Sequence, residues 1–218
     1  VRGAAPRMPP AKKQRAEERE NDPATVVCFG DSNTFGQSDE IGAGRLPYSQ
    51  RWTTVLQAEL GREFVVVPEG LNGRTTVFDD PSEAPEFAGV GGEGMNGRRY
   101  LLPCLHSHKP VAVVVLALGC NDLKTRHNLS ADDITAGMAS LVHAVRHSHA
   151  GPGGGAPEIV VISPPACRET AENRKWGFSD CDIKSRAVIA AFRGEFSDEA
   201  ARMPYLDLSD VADVGRDG

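Results

Sequence analysis

Three short segments hold residues able to act together on a substrate. GDSNT (30–34) sets a serine between an aspartate and an asparagine after the apolar run TVVCF. EGLNGRTT (69–76) follows the run FVVV, and LGCND (118–122) closes the run that starts at Val111. A glycine-containing loop entering a helix can offer backbone N–H groups to a phosphate, carry a nucleophile, or simply turn. Asp31 puts a negative charge inside the first loop, and neither a Walker lysine nor a three-glycine fingerprint accompanies it. Electrostatics therefore argues against phosphate. A serine at a helix start suits a developing oxyanion better. Thr34 stands where the Gly-x-Ser-x-Gly elbow needs its second glycine, which argues against an ordinary α/β-hydrolase. Taken alone, Gly-Asp-Ser is also compatible with a turn.

The elements that must position these residues are legible in the hydropathy pattern. Strand-like runs cover 25–29, 64–67, 111–118, 159–162 and 205–208. Trp52, Val55, Leu56 and Leu60 recur at helical spacing before Gly61. Ser130 with Asp133 forms a capping-box start ahead of Ile134, Met138, Leu141, Val142 and Val145. Further helices are predicted over 183–196 and 99–106. Strands alternating with helices predict an α/β fold with a parallel sheet covered on both faces. In such sheets ligands bind beyond the carboxyl ends of the strands, where the three polar loops converge. The segment 78–97 is long and glycine-rich, so it is predicted to be an irregular functional loop bordering that edge.

FGDSNTFG, EGLNGRTT and LGCNDLK resemble the first three blocks of the SGNH (GDSL-type) hydrolases, in the family's order and spacing. RWTTVL (51–56), DDP (79–81), YLLPCL (100–105) and VVISPP (160–165) are similar to stretches of its arylesterase/acyltransferase branch. The resemblance implies a flavodoxin-like three-layer sandwich with a five-stranded parallel sheet in the order 2-1-3-4-5. It implies Ser32 as the nucleophile of an ester hydrolase working through an acyl-serine intermediate, with transfer of the acyl group to an alcohol as a variant. It also implies an oxyanion hole made of the Ser32 and Gly73 backbone N–H groups and the Asn121 amide. Asp31 and Asp122 then become acceptors that orient the loops, and Arg74 a residue shaping the second loop. Asn72, Trp176 and Phe178 are expected to line the substrate.

The family's fifth block, Asp-x-x-His, supplies the base that activates the serine and the carboxylate that orients it. Asp217 stands at the first position of that block, and the histidine would fall two positions beyond Gly218. A helix that would follow is likewise expected to be missing. None of the six histidines replaces the base well. His127 alone is expected on the active edge. A catalytically silent, ligand-binding protein of the same fold is therefore the alternative reading.

The chain has 218 residues and a formal net charge of −6, so no basic field invites nucleic acid or an anionic membrane. Its longest apolar run is far too short to span a bilayer. Residues 1–23, highly charged and without apolar periodicity, are predicted to be disordered, leaving 24–218 as one domain. The five cysteines are widely spaced without a Cys-x-x-Cys pair, which predicts reduced thiols and a cytoplasmic protein. Cys104, His106 and His108 are read as ordinary loop residues and not as metal ligands. No cofactor is expected; the partner is a small-molecule ester, and homo-oligomerisation is left open.

Overall fold

The computed structural model of the chain describes residues 22–38, 44–81, 90–197 and 203–211. The predicted disorder of residues 1–23 falls almost wholly outside the described residues, as does Asp217. The five strands are β1 (Ala24–Gly30), β2 (Phe64–Gly70), β3 (Val111–Ala117), β4 (Glu158–Ile162) and β5 (Tyr205–Leu206). All pair in parallel in the order β2-β1-β3-β4-β5, the flavodoxin-like arrangement. Their register aligns one row of terminal residues: Gly70, Gly30, Ala117, Ile162 and Leu206. Every loop that leaves the sheet at this edge therefore starts level with its neighbours.

The helices are α1 (Ser32–Phe35), α2 (Trp52–Leu60), α3 (Gly91–Gly94), α4 (Gly97–His108), α5 (Ala131–Arg146), α6 (Ala171–Lys175) and α7 (Cys181–Phe196). Side chains alternate across β1, so two cores form. Val27 and Phe29 face α4, α5 and α7, joining Leu101, Leu116, Met138 and Phe192 in the main buried cluster. Val26 and Cys28 face the other way, toward Trp52, Leu56 and Leu60 of α2. An apolar groove of about 390 Å³ runs along this second face, between α2 and Val113, Val115, Val160 and Ile162.

Local sequence explains the boundaries. The capping box of α5 is present: Asp133 N–H donates to Ser130 Oγ at 3.1 Å and Ser130 N–H to Asp133 Oδ2 at 2.9 Å. β2 runs three residues past its β-branched stretch, through Pro68, which an edge strand tolerates. β5 is shorter than its apolar run because Asp207 leaves the ladder to pair with Arg193 at 2.7 Å. The expectation of an irregular segment over 78–97 needs correction. Gly91–Gly94 forms a helical turn, Thr75 bridges to Asn96, and α4 already begins at Gly97. Residues 82–89 lie outside the described residues.

Gly137 couples the main helix to the site edge. A Cβ placed there would lie 2.4 Å from Thr76 Oγ1, a hydroxyl already committed to Asp122. Alanine is the better helix former by about 1 kcal/mol, yet Gly137→Ala is expected to destabilise the protein by about 1–3 kcal/mol through overpacking. Urea unfolding checks this, and unchanged or higher stability would show that the contact yields.

Candidate active site

The first polar loop is pressed flat across the strand ends. A Cβ on Gly70 would come within 2.2 Å of Phe35 N, and one on Gly30 within 2.0 Å of Thr34 Oγ1. Only glycine at both positions lets α1 lie there. Asp31 caps it, its Oδ1 accepting from Asn33 N–H at 3.0 Å and from the Asn33 amide at 3.1 Å. Ser32, the first helical residue, is half-buried. With one turn, α1 contributes little dipole, so the electrostatic help to Ser32 must come from individual N–H groups.

The second and third loops interlock. The Asn121 amide donates to the Arg74 carbonyl at 3.1 Å. Asp122 Oδ1 accepts from Thr76 N–H at 3.1 Å and also from the Thr76 hydroxyl. Arg74 is buried beneath both loops, donating to the carbonyls of Gly30 and Glu69. Its guanidinium lies 4.2 Å from the centre of the Phe29 ring and 5.4 Å from that of Tyr100. Gly73 turns with φ +85°, a left-handed backbone that a side chain would strain. Three N–H donors thus have no partner among the described residues. No hydrogen bond among the described residues uses the backbone N–H of Ser32 or Gly73, and an amide carries two N–H bonds, of which Asn121 spends one.

Asn72 is held by a 2.6 Å hydrogen bond to Gln37, which leaves its buried Oδ1 without a partner. Trp176 is exposed at the end of α6, whereas Phe178 packs against the main core. The Lys124 ammonium stands 5.2 Å from the centre of the Phe178 ring. Lys124 is itself only 6% exposed, and burial lowers its pKa. Arg126 clamps the fully buried Asp80 carboxylate, its Nε donating to Oδ1 at 2.9 Å. His127 packs behind that pair, with Nε2 3.9 Å from Asp80 Oδ2 and without a hydrogen-bond partner. Burial lowers its pKa, against the pull of the Asp80 carboxylate that raises it. Sequence spacing announced neither the Lys124 contact nor the Arg126–Asp80 clamp, because both join loops far apart in the chain.

The cysteine expectation is overturned in part. Cys167 and Cys181 form a disulfide with Cα atoms 5.6 Å apart, while Cys28, Cys104 and Cys120 are free. The pair has no motif spacing; it meets because the loop after β4 folds back to the start of α7. The bridge closes a loop of residues 168–180 that carries Trp176 and Phe178 and docks by a Thr125 N–H bond to the Gly177 carbonyl at 2.9 Å. Thiol usage therefore gives no ground for a reducing compartment. No described helix is long and apolar enough to cross a membrane.

Burial raises the carboxyl groups of both Asp31 and Asp122 to about 6, outweighing the hydrogen bonds from Asn33 and Thr76 that pull them down. The folded protein thus holds these protons more tightly than the unfolded chain, where an aspartic acid titrates near 4. Their contribution to stability is full below about pH 4 and is lost as pH rises through about 6. Asp122→Asn is expected to flatten this decline. Urea unfolding of both proteins between about pH 4 and 7 measures it, and an unchanged slope would rule the assignment out.

The GDSL-like Lipase/Acylhydrolase family profile matches residues 28–218. The native aryl esterase of M. smegmatis is 33% identical, with 88% of this chain and 86% of that one covered at a TM-score of 0.75. A carbohydrate acetylesterase family member from Sinorhizobium meliloti is 34% identical, with 89% and 87% covered at a TM-score of 0.76. The lipase/acylhydrolase from Enterococcus faecalis, at 19% identity and a TM-score of 0.55, shares the fold. No curated protein sequence matches. A profile match over most of the chain, on the 2-1-3-4-5 sheet of these esterases, makes this chain a member of the GDSL-type (SGNH) lipase/acylhydrolase family.

Proposed function

We propose that this chain is a serine carboxylic-ester hydrolase acting through an acyl-serine intermediate. The observation that carries the reading is the set of uncommitted donors: Ser32 N–H, Gly73 N–H and the second N–H of Asn121, on three adjacent loops. Ser32 Oγ would attack the ester carbonyl carbon, passing its proton to a base as the carbonyl oxygen becomes an oxyanion facing these donors. Collapse expels the alcohol with that proton. Water, or a second alcohol, then takes the acyl group. The aryl esterase and carbohydrate acetylesterase neighbours support aryl esters or acetylated carbohydrates as substrates.

The base is the open position. Asp217 matches the carboxylate of the family's Asp-x-x-His pattern, and residues 1–218 contain no histidine after His149. His106 bonds the Ser148 carbonyl, His108 pairs with Glu69, and His127 packs against Asp80. With His106, His108 and His127 each held by another group, a ligand-binding protein of the same fold is the second reading.

Hydrolysis of an aryl acetate by the 218-residue chain, with and without added imidazole, separates the two. The enzyme reading expects slow turnover that depends on Ser32, accelerates with imidazole and disappears in Ser32→Ala. Asn121→Ala is expected to lower kcat by about 10²–10³. Turnover unaffected by Ser32→Ala would refute the nucleophile. No Ser32-dependent turnover under either condition would favour the binding protein, and turnover without imidazole that His127→Ala abolishes would make His127 the base.

A further inference from the structure

We propose that Glu69, Cys104 and His108 form a binding site for a zinc-class divalent cation. Cys104 and His108 are four residues apart on α4, so helical geometry points both side chains to one face. That face meets β2, the edge strand, and Glu69 reaches toward it. One ligand atom from each residue lies within 4.8 Å of the other two. His108 Nε2 and Glu69 Oε1 are already 2.8 Å apart. A tetrahedral zinc ion, with bonds of about 2.0–2.3 Å, needs its ligand atoms a little over 3 Å apart. Small side-chain rotations of His108 and Glu69 supply that opening.

The chemistry of the donors is selective. A thiolate, an imidazole and a carboxylate together suit zinc or cobalt and disfavour calcium or magnesium, which take oxygen alone. Coordination replaces the Cys104 S–H bond with a sulfur–metal bond, and the proton leaves to solvent. The resulting thiolate and carboxylate charges match a dication. The His108 side chain is 30% exposed and that of Glu69 20%, so an entry path and a solvent position for a fourth ligand exist. Arg74 spends its hydrogen bonds on the carbonyls of Glu69 and Gly30, while the Glu69 carboxylate meets Tyr100, 3.4 Å away, and His108. From the sequence Cys104, His106 and His108 read as ordinary loop residues; the structure instead puts all three on α4. His106 turns away to the Ser148 carbonyl at 2.9 Å, and Glu69 takes the third place.

Titration of the metal-free chain with Co(II), followed by absorption spectroscopy, tests the site. The expected result is one equivalent bound per chain, with tetrahedral d–d bands and a sulfur-to-cobalt charge-transfer band that Zn(II) displaces. Both signals should be lost in Cys104→Ser and in His108→Ala, and kept in His106→Ala and Cys120→Ser. Circular dichroism checks that each variant is folded, and His108, being partly exposed, serves if Cys104→Ser does not fold. Absence of a charge-transfer band would overturn the proposal. So would a band that survives both substitutions, or binding lost only in His143→Ala, which would place the metal on the His143–His147 pair of α5, whose ring centres are 4.2 Å apart.

Discussion

A buried guanidinium holds the active edge together. Arg74 has neither a salt bridge among the described residues nor a partner for its Nε, and burial lowers its pKa. Charge taken out of water is costly unless it is solvated by something else. Here two main-chain carbonyls and two aromatic faces take water's place. Those carbonyls belong to Gly30 and Glu69, at the carboxyl ends of β1 and β2, and the Arg74 carbonyl accepts from Asn121 beyond β3. One residue thereby fixes the relative height of the three strands whose loops make the site. Arginine suits the position because its planar fork reaches two acceptors while stacking on rings, which a lysine would not do.

A second layer of polar contacts surrounds this centre. Asp31 and Asp122 satisfy N–H groups of their own and neighbouring loops, at the cost of holding carboxylates where burial disfavours their charge. Asp80, Arg126 and Lys124 extend the network toward the disulfide-closed loop. The arrangement spends stability on loop geometry, as preorganised sites do. What it leaves without a partner among the described residues are the backbone N–H groups of Ser32 and Gly73.

Much of the fold was legible in the sequence, because apolar periodicity is a local property. The Val-rich runs of β1, β2 and β3, the cap at Ser130 and the stripe from Ile134 to Val145 all lie where their pattern puts them. Ser32, Gly73 and Asn121 could be proposed because each follows a strand run inside a recognisable block. The roles of Arg74 as a buried anchor and of Lys124 above Phe178 depend on packing between segments roughly fifty residues apart, and no local pattern encodes that. The Cys167–Cys181 bridge escaped for the same reason, since spacing of fourteen residues carries no signature without the fold of the intervening loop. The extent of α4 was underestimated at both ends: it starts at Gly97, where the Asn96 side chain caps it, and runs on to His108.

The long sequence separation of the site's own contacts has a kinetic meaning. Thr76 with Asp122, Arg126 with Asp80, and Asn121 with Arg74 join positions 46, 46 and 47 residues apart. Each closes a loop whose entropy must be surrendered before the contact returns any energy. Half-folded chains, and chains still emerging from the ribosome, would carry Ser32 without its assembled surroundings. These contacts can form only once β3 has docked beside β1, so the surroundings of Ser32 assemble together with the centre of the sheet.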